Sequence, residues 1–137
     1  VDNARLYCGD NEKLAPQLCA KYGFPDFVDL DAFGNPDAPL VALMPWAAIA
    51  DKREFAIVAT DGTMMARKMF SNAPACWGLG ECKWSSLSVP NKDYPYFIFR
   101  NIEAIVGRRG YVVDSFECYR KKPPSAVCYY GAVIKRQ

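Results

Sequence analysis

The chain has 137 residues, 17 Lys/Arg against 15 Asp/Glu for a net charge of +2, no histidine, and 51% hydrophobic and 14% aromatic residues. That length suits one domain able to bury a core, and the composition excludes a disordered tail, so residues 1–137 read as a single domain. Without histidine the commonest general base is missing, and neither a Ser-His-Asp nor a Cys-His nucleophilic site can be assembled.

Six cysteines are many for a cytosolic chain of this size, and the even number reads as three disulfides formed in an oxidising compartment. A start at Val1, with no methionine and no basic-then-apolar leader, fits a secreted protein after removal of its signal peptide. The longest apolar run, residues 38–50, is interrupted by Pro39 and Pro45 and falls well short of the roughly 20 residues that span a bilayer. No asparagine is followed by x-Ser/Thr, so no N-linked glycan is expected. Charge is uneven: residues 1–82 hold 7 Lys/Arg against 11 Asp/Glu, and residues 83–137 hold 10 against 4. Such a split marks either an electrostatic face or two solvated surfaces, depending on how folding interleaves the halves.

In chain order, Asp10 or Asn11 can cap a short helix that Glu12 favours and Gly23 closes, with its regular part expected at residues 16–22 and Leu14, Leu18 and Cys19 facing inward. Residues 24–39, rich in proline and aspartate, predict an irregular connection with at most one strand at residues 27–30. Residues 55–60, Asp61-Gly62 and residues 63–70 predict a hairpin on a type I′ turn. Residues 96–106 and 111–119, joined by Gly107-Arg108-Arg109-Gly110, predict a second hairpin. A charged loop at residues 120–125 precedes a last strand at 126–134, where Gly131 marks a bulge or a close backbone approach. The expected fold is mainly β: an antiparallel barrel or sandwich of five to seven strands with one short N-terminal helix, stabilised by disulfides.

The stretch ACWGLGECKW, residues 75–84, asks most directly for chemistry. Zinc favours closer cysteine pairs, often with histidine, and redox enzymes use Cys-x-x-Cys, so the five residues between Cys76 and Cys82 fit neither. Gly78-Leu79-Gly80 lacks the rest of a nucleotide-binding loop. A Cys76–Cys82 disulfide closing a tight loop is the simplest survivor. The other cysteines are Cys8, Cys19, Cys118 and Cys128, and sequence does not choose among the pairings. Trp77 and Trp84 read either as core or as a rigid recognition surface, which Tyr94, Tyr96, Tyr129 and Tyr130 can extend. Two basic turns, Arg108-Arg109 and Arg120-Lys121-Lys122, are expected to meet at one end of the barrel and flank that surface.

Catalysis by a carboxylate pair remains open, with Asp26, Asp29, Asp31, Asp37, Glu81, Glu103, Asp114 and Glu117 as candidates outside any motif. Asp29, Asp31, Gly34, Asn35 and Asp37 gather oxygen ligands but lack the spacing of a calcium loop, and no cofactor or metal is expected. Paired cysteines, no histidine, no glycan site and an aromatic β-core make the chain resemble in type the small secreted effectors or elicitors that fungi use on plants. The Tyr7-Cys8 pair, short helix and later hairpin are similar to the layout of secreted microbial ribonucleases. That layout's catalytic histidine is absent, which implies binding without cleavage. The effector resemblance implies an extracellular, non-catalytic protein that recognises a host protein or glycan; a monomer that does not bind nucleic acid is expected. A secreted glycan hydrolase and a secreted inhibitor or antimicrobial protein are the alternatives.

Overall fold

A computed structural model describes residues 4–31, 36–62, 94–120 and 127–137. Within them lie three helices and four strands, in the order α1 (Asn11–Tyr22), β1 (Phe27–Leu30), α2 (Asp37–Ile49), β2 (Glu54–Asp61), α3 (Tyr94–Gly107), β3 (Tyr111–Arg120) and β4 (Cys128–Arg136). No described helix is long and apolar enough to cross a membrane.

The strands form one mixed open sheet in the order β1-β2-β4-β3. β1 runs parallel to β2, which requires a crossover, and α2 supplies it. β4 is antiparallel to both β2 and β3. Alternation along β2 and β4 sends Phe55, Ile57 and Ala59, and Tyr130, Ala132 and Ile134, into a core shared with Leu40, Leu43 and Met44 of α2 and Ile98, Ile102 and Ile105 of α3. The opposite face of the sheet carries half-buried and exposed side chains.

The barrel expectation is thus corrected to a mixed α/β fold with two sheet edges, β1 and β3. Residues 96–106 are helix, not strand. Their aromatic and β-branched content favours β, but the buried positions Tyr94, Ile98, Asn101, Ile102 and Ile105 recur every three or four residues, which only a helix presents on one face. The apolar run at residues 38–50 is also helical. Pro39 sits in its first turn, and Pro45 forfeits only a bond to the carbonyl of exposed Val41. Helix α1 starts at Asn11 rather than Pro16, because the Asp10 carboxylate accepts from the Glu12 amide at 3.0 Å and caps it.

β1 occupies the stretch expected to be a strand. Asp61 is not a turn residue: it pairs with Cys128 and is buried at the end of β2, whose two edges are taken by β1 and β4. The second arm of the expected hairpin, residues 63–70, lies outside the described residues. Gly110, at φ 76, closes the turn that leads from α3 into β3.

Among the described residues no disulfide is present, against the expected scaffold. Cys8, Cys19, Cys118 and Cys128 carry thiols, while Cys76 and Cys82 lie outside the described residues. Cys8 is exposed on the N-terminal segment, and Cys19 of α1 is buried. Apolar burial in one core cluster holds the described elements together.

The charge asymmetry becomes complementary pairing. β4, from the basic half, lies on β2, from the acidic half, and Lys135 meets Glu54 at 3.4 Å while Arg136 meets Asp51.

Candidate functional site

Register alone orders the open face into rows across the sheet. Tyr119 lies directly opposite Tyr129, which lies opposite Thr60, and Asp31 follows β1 on the far side. The next row runs Glu117, Gly131, Val58, Asp29. These two rows line a groove of about 670 Å³. The adjoining rows bring Val133 and Ala56, then Lys135, held by Asp114 at 2.8 Å and by Glu54.

Tyr119 and Tyr129 are 66% and 46% exposed, Tyr119 on the edge strand β3 and Tyr129 beside it on β4. Directly opposed cross-strand residues have Cβ atoms only about 5 Å apart, so the two phenols form one aromatic surface. Beside it Gly131 leaves the sheet without a side chain between Glu117 and Val58. A Cβ built there would meet the Ile57 carbonyl oxygen at 3.7 Å and Val58 Cγ1 at 3.8 Å, ordinary contact distances. Packing therefore does not demand glycine at 131. Its effect is an open groove floor. The bulge expected at Gly131 is in β3 instead, at Asp114.

The carboxylates ring this floor. Asp29 and Asp31 stand on one wall, about 7 Å apart along the chain, and Glu117 stands on the other. Three strand spacings separate Asp29 from Glu117, roughly 14 Å at the backbone. Asp37, grouped with Asp29 and Asp31 in the sequence, is on the other side of the sheet, buried and accepting from Asn101 Nδ2 at 2.5 Å. The oxygen cluster suggested for calcium is thus divided between two faces. Among the described residues no group of three or more candidate ligands converges. Asp26 pairs with Lys52, Glu103 with Arg100 at 2.6 Å, and Asp114 with Lys135.

Tyr129 and Tyr130 are split by the pleat. Tyr130 enters a buried polar cluster in which the Tyr94 hydroxyl lies 3.5 Å from Asp61 Oδ1. Burial, with the nearby charges of Asp37 and Asp61, drives the Tyr130 phenol far above its ordinary range, and its buried hydroxyl has no hydrogen-bond partner among the described residues.

The two basic turns do not meet. Exposed Arg108 and Arg109 precede β3 and border a small cavity against Met44 and Ile105, whereas Arg120 ends that strand, roughly 30 Å away along its length. Trp77, Trp84, Lys121, Lys122 and Glu81 lie outside the described residues. Tyr94 is buried, and Tyr96 is exposed on α3.

A second groove, of about 970 Å³, runs between α1, β1 and α2, with Leu18, Val28 and Leu43 in its lining. At its mouth the Tyr7 and Tyr22 hydroxyls meet at 2.6 Å, and the Arg5 guanidinium lies 4.9 Å from the centre of the Tyr22 ring. The hydrogen bond with Tyr7, and next the one from Lys21, hold the Tyr22 phenol down to about 8.

Of the open-face site, sequence reading selected Asp29, Asp31, Glu117 and Tyr129. It missed Tyr119 and the role of Gly131. The expected strand ends at 119 and 126 would set Tyr119 against Ala126 in a hairpin, so the observed pairing of Tyr119 with Tyr129 could not be read from them. Comparison with protein-family models, curated proteins and solved structures finds no match to this chain.

Proposed function

We propose that this protein is a small, secreted, non-catalytic binding protein of effector type, and that the open sheet face takes a glycan. The observation that carries the reading is the exposed Tyr119–Tyr129 pair beside the side-chain-free floor at Gly131. A pyranose presents an apolar C–H face that stacks on an aromatic ring, while its hydroxyls donate to carboxylates. Asp29, Asp31 and Glu117 are placed to accept from them on both sides of the floor. A rigid antiparallel pair presents the phenols at low entropic cost. The type resemblance supports an extracellular setting.

Glycoside hydrolysis is the weaker reading. It needs an acid and a second carboxylate about 5–9.5 Å apart on either side of the scissile bond. Asp29 and Asp31 share one wall, and Glu117 is three strands from Asp29. The test is calorimetric titration of the full chain with short soluble oligosaccharides of cellulose, xylan and chitin, with reducing-sugar release assayed in parallel. Binding to one of the three, weakened about tenfold or more by Tyr119→Ala or Tyr129→Ala, is the expected result. Absence of binding to all three overturns the glycan reading, and sugar release overturns the non-catalytic one.

A further inference from the structure

Cys118 and Cys128 are the only pair of thiols the described fold brings together. Cys118 stands opposite Tyr130 in β4, two residues beyond Cys128, which itself stands opposite Arg120, so the two cysteines are diagonal neighbours on the helix-facing side of the β3–β4 ladder. Diagonal neighbours on one face of an antiparallel pair are near enough for their side chains to interact. They differ in access. Cys128 is completely buried, while Cys118 is half-buried and sits on an edge strand.

We propose that Cys118 and Cys128 form a thiol–disulfide exchange site, with Cys118 the attacking sulfur, Cys128 the resolving sulfur, and a small disulfide such as oxidised glutathione the co-reactant.

The step balances in two exchanges. Cys118 loses its proton, and its thiolate attacks one sulfur of the small disulfide. A mixed disulfide forms at Cys118, and one small thiolate leaves. Cys128 then loses its proton and attacks the Cys118 sulfur, forming the Cys118–Cys128 bond and expelling the second small thiolate. The two protein thiols give up two electrons and two protons, and the small disulfide becomes two small thiols.

The surroundings assign the roles. The hydrogen bond from Cys128 lowers the Cys118 thiol, and this outweighs the opposing effects of burial and the Asp61 charge. At Cys19, by contrast, burial alone pushes the thiol up. Diagonal cross-strand residues have Cα atoms about 7–8 Å apart, just beyond the usual disulfide span of up to about 6.8 Å. Closing the bond must draw the strands together, so the product is a reducible link rather than a permanent brace.

The reduced full chain is treated with oxidised glutathione at mildly alkaline pH and mapped by mass spectrometry of non-reduced peptides. A Cys118–Cys128 link in the wild type, opened again by dithiothreitol, is expected. Cys128→Ser should trap the glutathione adduct on Cys118, formed at least ~10-fold faster than any adduct on Cys19. Cys118→Ser should leave Cys128 unmodified over the same interval. The wild-type mapping needs no variant to fold. If Cys118 and Cys128 stay reduced, or either one links to another cysteine, the proposal is overturned. An adduct that forms first on Cys128 overturns the assignment of roles.

Discussion

Tyr129 and Tyr130 are adjacent in sequence and differ in everything else. Tyr130 points toward the helices, packs near Phe116 with ring centres 5.9 Å apart, and is 4% exposed. Tyr129 points the other way, opposite Tyr119, and is 46% exposed. The pleat thus divides β4 into a packed side, where neighbouring volumes decide what fits, and an open side, where register alone sets what is displayed. On the packed side a side chain is held by contacts from α2 and α3. On the open side Gly131 shows a position that packing leaves unconstrained.

The contrast is broken hardest from the packed side. Ile102 of α3 and Ile134 of β4 are both fully buried, so Ile102→Ala or Ile134→Ala removes apolar contacts and leaves a cavity. Each should cost about 2–5 kcal/mol in urea unfolding with an unchanged slope, while whatever binds the open face binds the remaining folded chain equally well. A core substitution that changes binding per folded molecule would show the two faces to be coupled.

The same substitution made at two adjacent positions sharpens it. Tyr130→Phe removes a buried hydroxyl without a hydrogen-bond partner among the described residues, and should stabilise the fold by about 1 kcal/mol by relieving its desolvation. Tyr129→Phe removes an exposed hydroxyl and should fall within about 0.5 kcal/mol of zero. Paired denaturant titrations of the two variants read the difference directly. Equal effects would mean that the pleat does not separate the two phenols.

Gly131→Val tests the floor. A glycine within a strand is entropically unfavourable by roughly 0.5–1 kcal/mol, and the built Cβ meets only ordinary contacts, so stability should hold or rise by up to about that amount. The valine would fill the groove between Glu117 and Val58, and oligosaccharide binding should disappear. A stable variant that still binds would remove Gly131 from the site.

How much of this was legible beforehand follows the same division. The strands at residues 27–30 and 111–119 could be read because local alternation and turn residues specify them. Helices α2 and α3 could not, since prolines in one and β-branched and aromatic residues in the other point away from helix, and only packing against the sheet selects it. The site needs register across strands far apart in sequence. Asp29 and Glu117 are visible as carboxylates, but nothing local says that β1 and β3 are opposite edges of one sheet. Asp61 shows the limit most clearly: Asp-Gly is a strong turn signal, and the pairing of Asp61 with Cys128 overrides it.

The smallest expected effect lies away from both faces of the sheet, at the mouth of the groove beside α1. Tyr22 is exposed, yet the Tyr7 hydroxyl, Lys21 and Arg5 favour its phenolate and bring its proton affinity from 10.0 down to about 8. Ultraviolet difference titration should show one tyrosine ionising near that lower value, and Tyr22→Phe should abolish this early step. Between the two values the unfolded chain still holds the proton that the folded chain has released. Stability therefore rises with pH across that window, and the gain is lost as pH falls through the folded value. Because the group is exposed, salt should weaken the effect and move the early ionisation back toward that of an ordinary phenol. A titration in which no tyrosine ionises below the ordinary phenol value, with or without Tyr22→Phe, would show that the Tyr7–Tyr22 contact does not persist in solution.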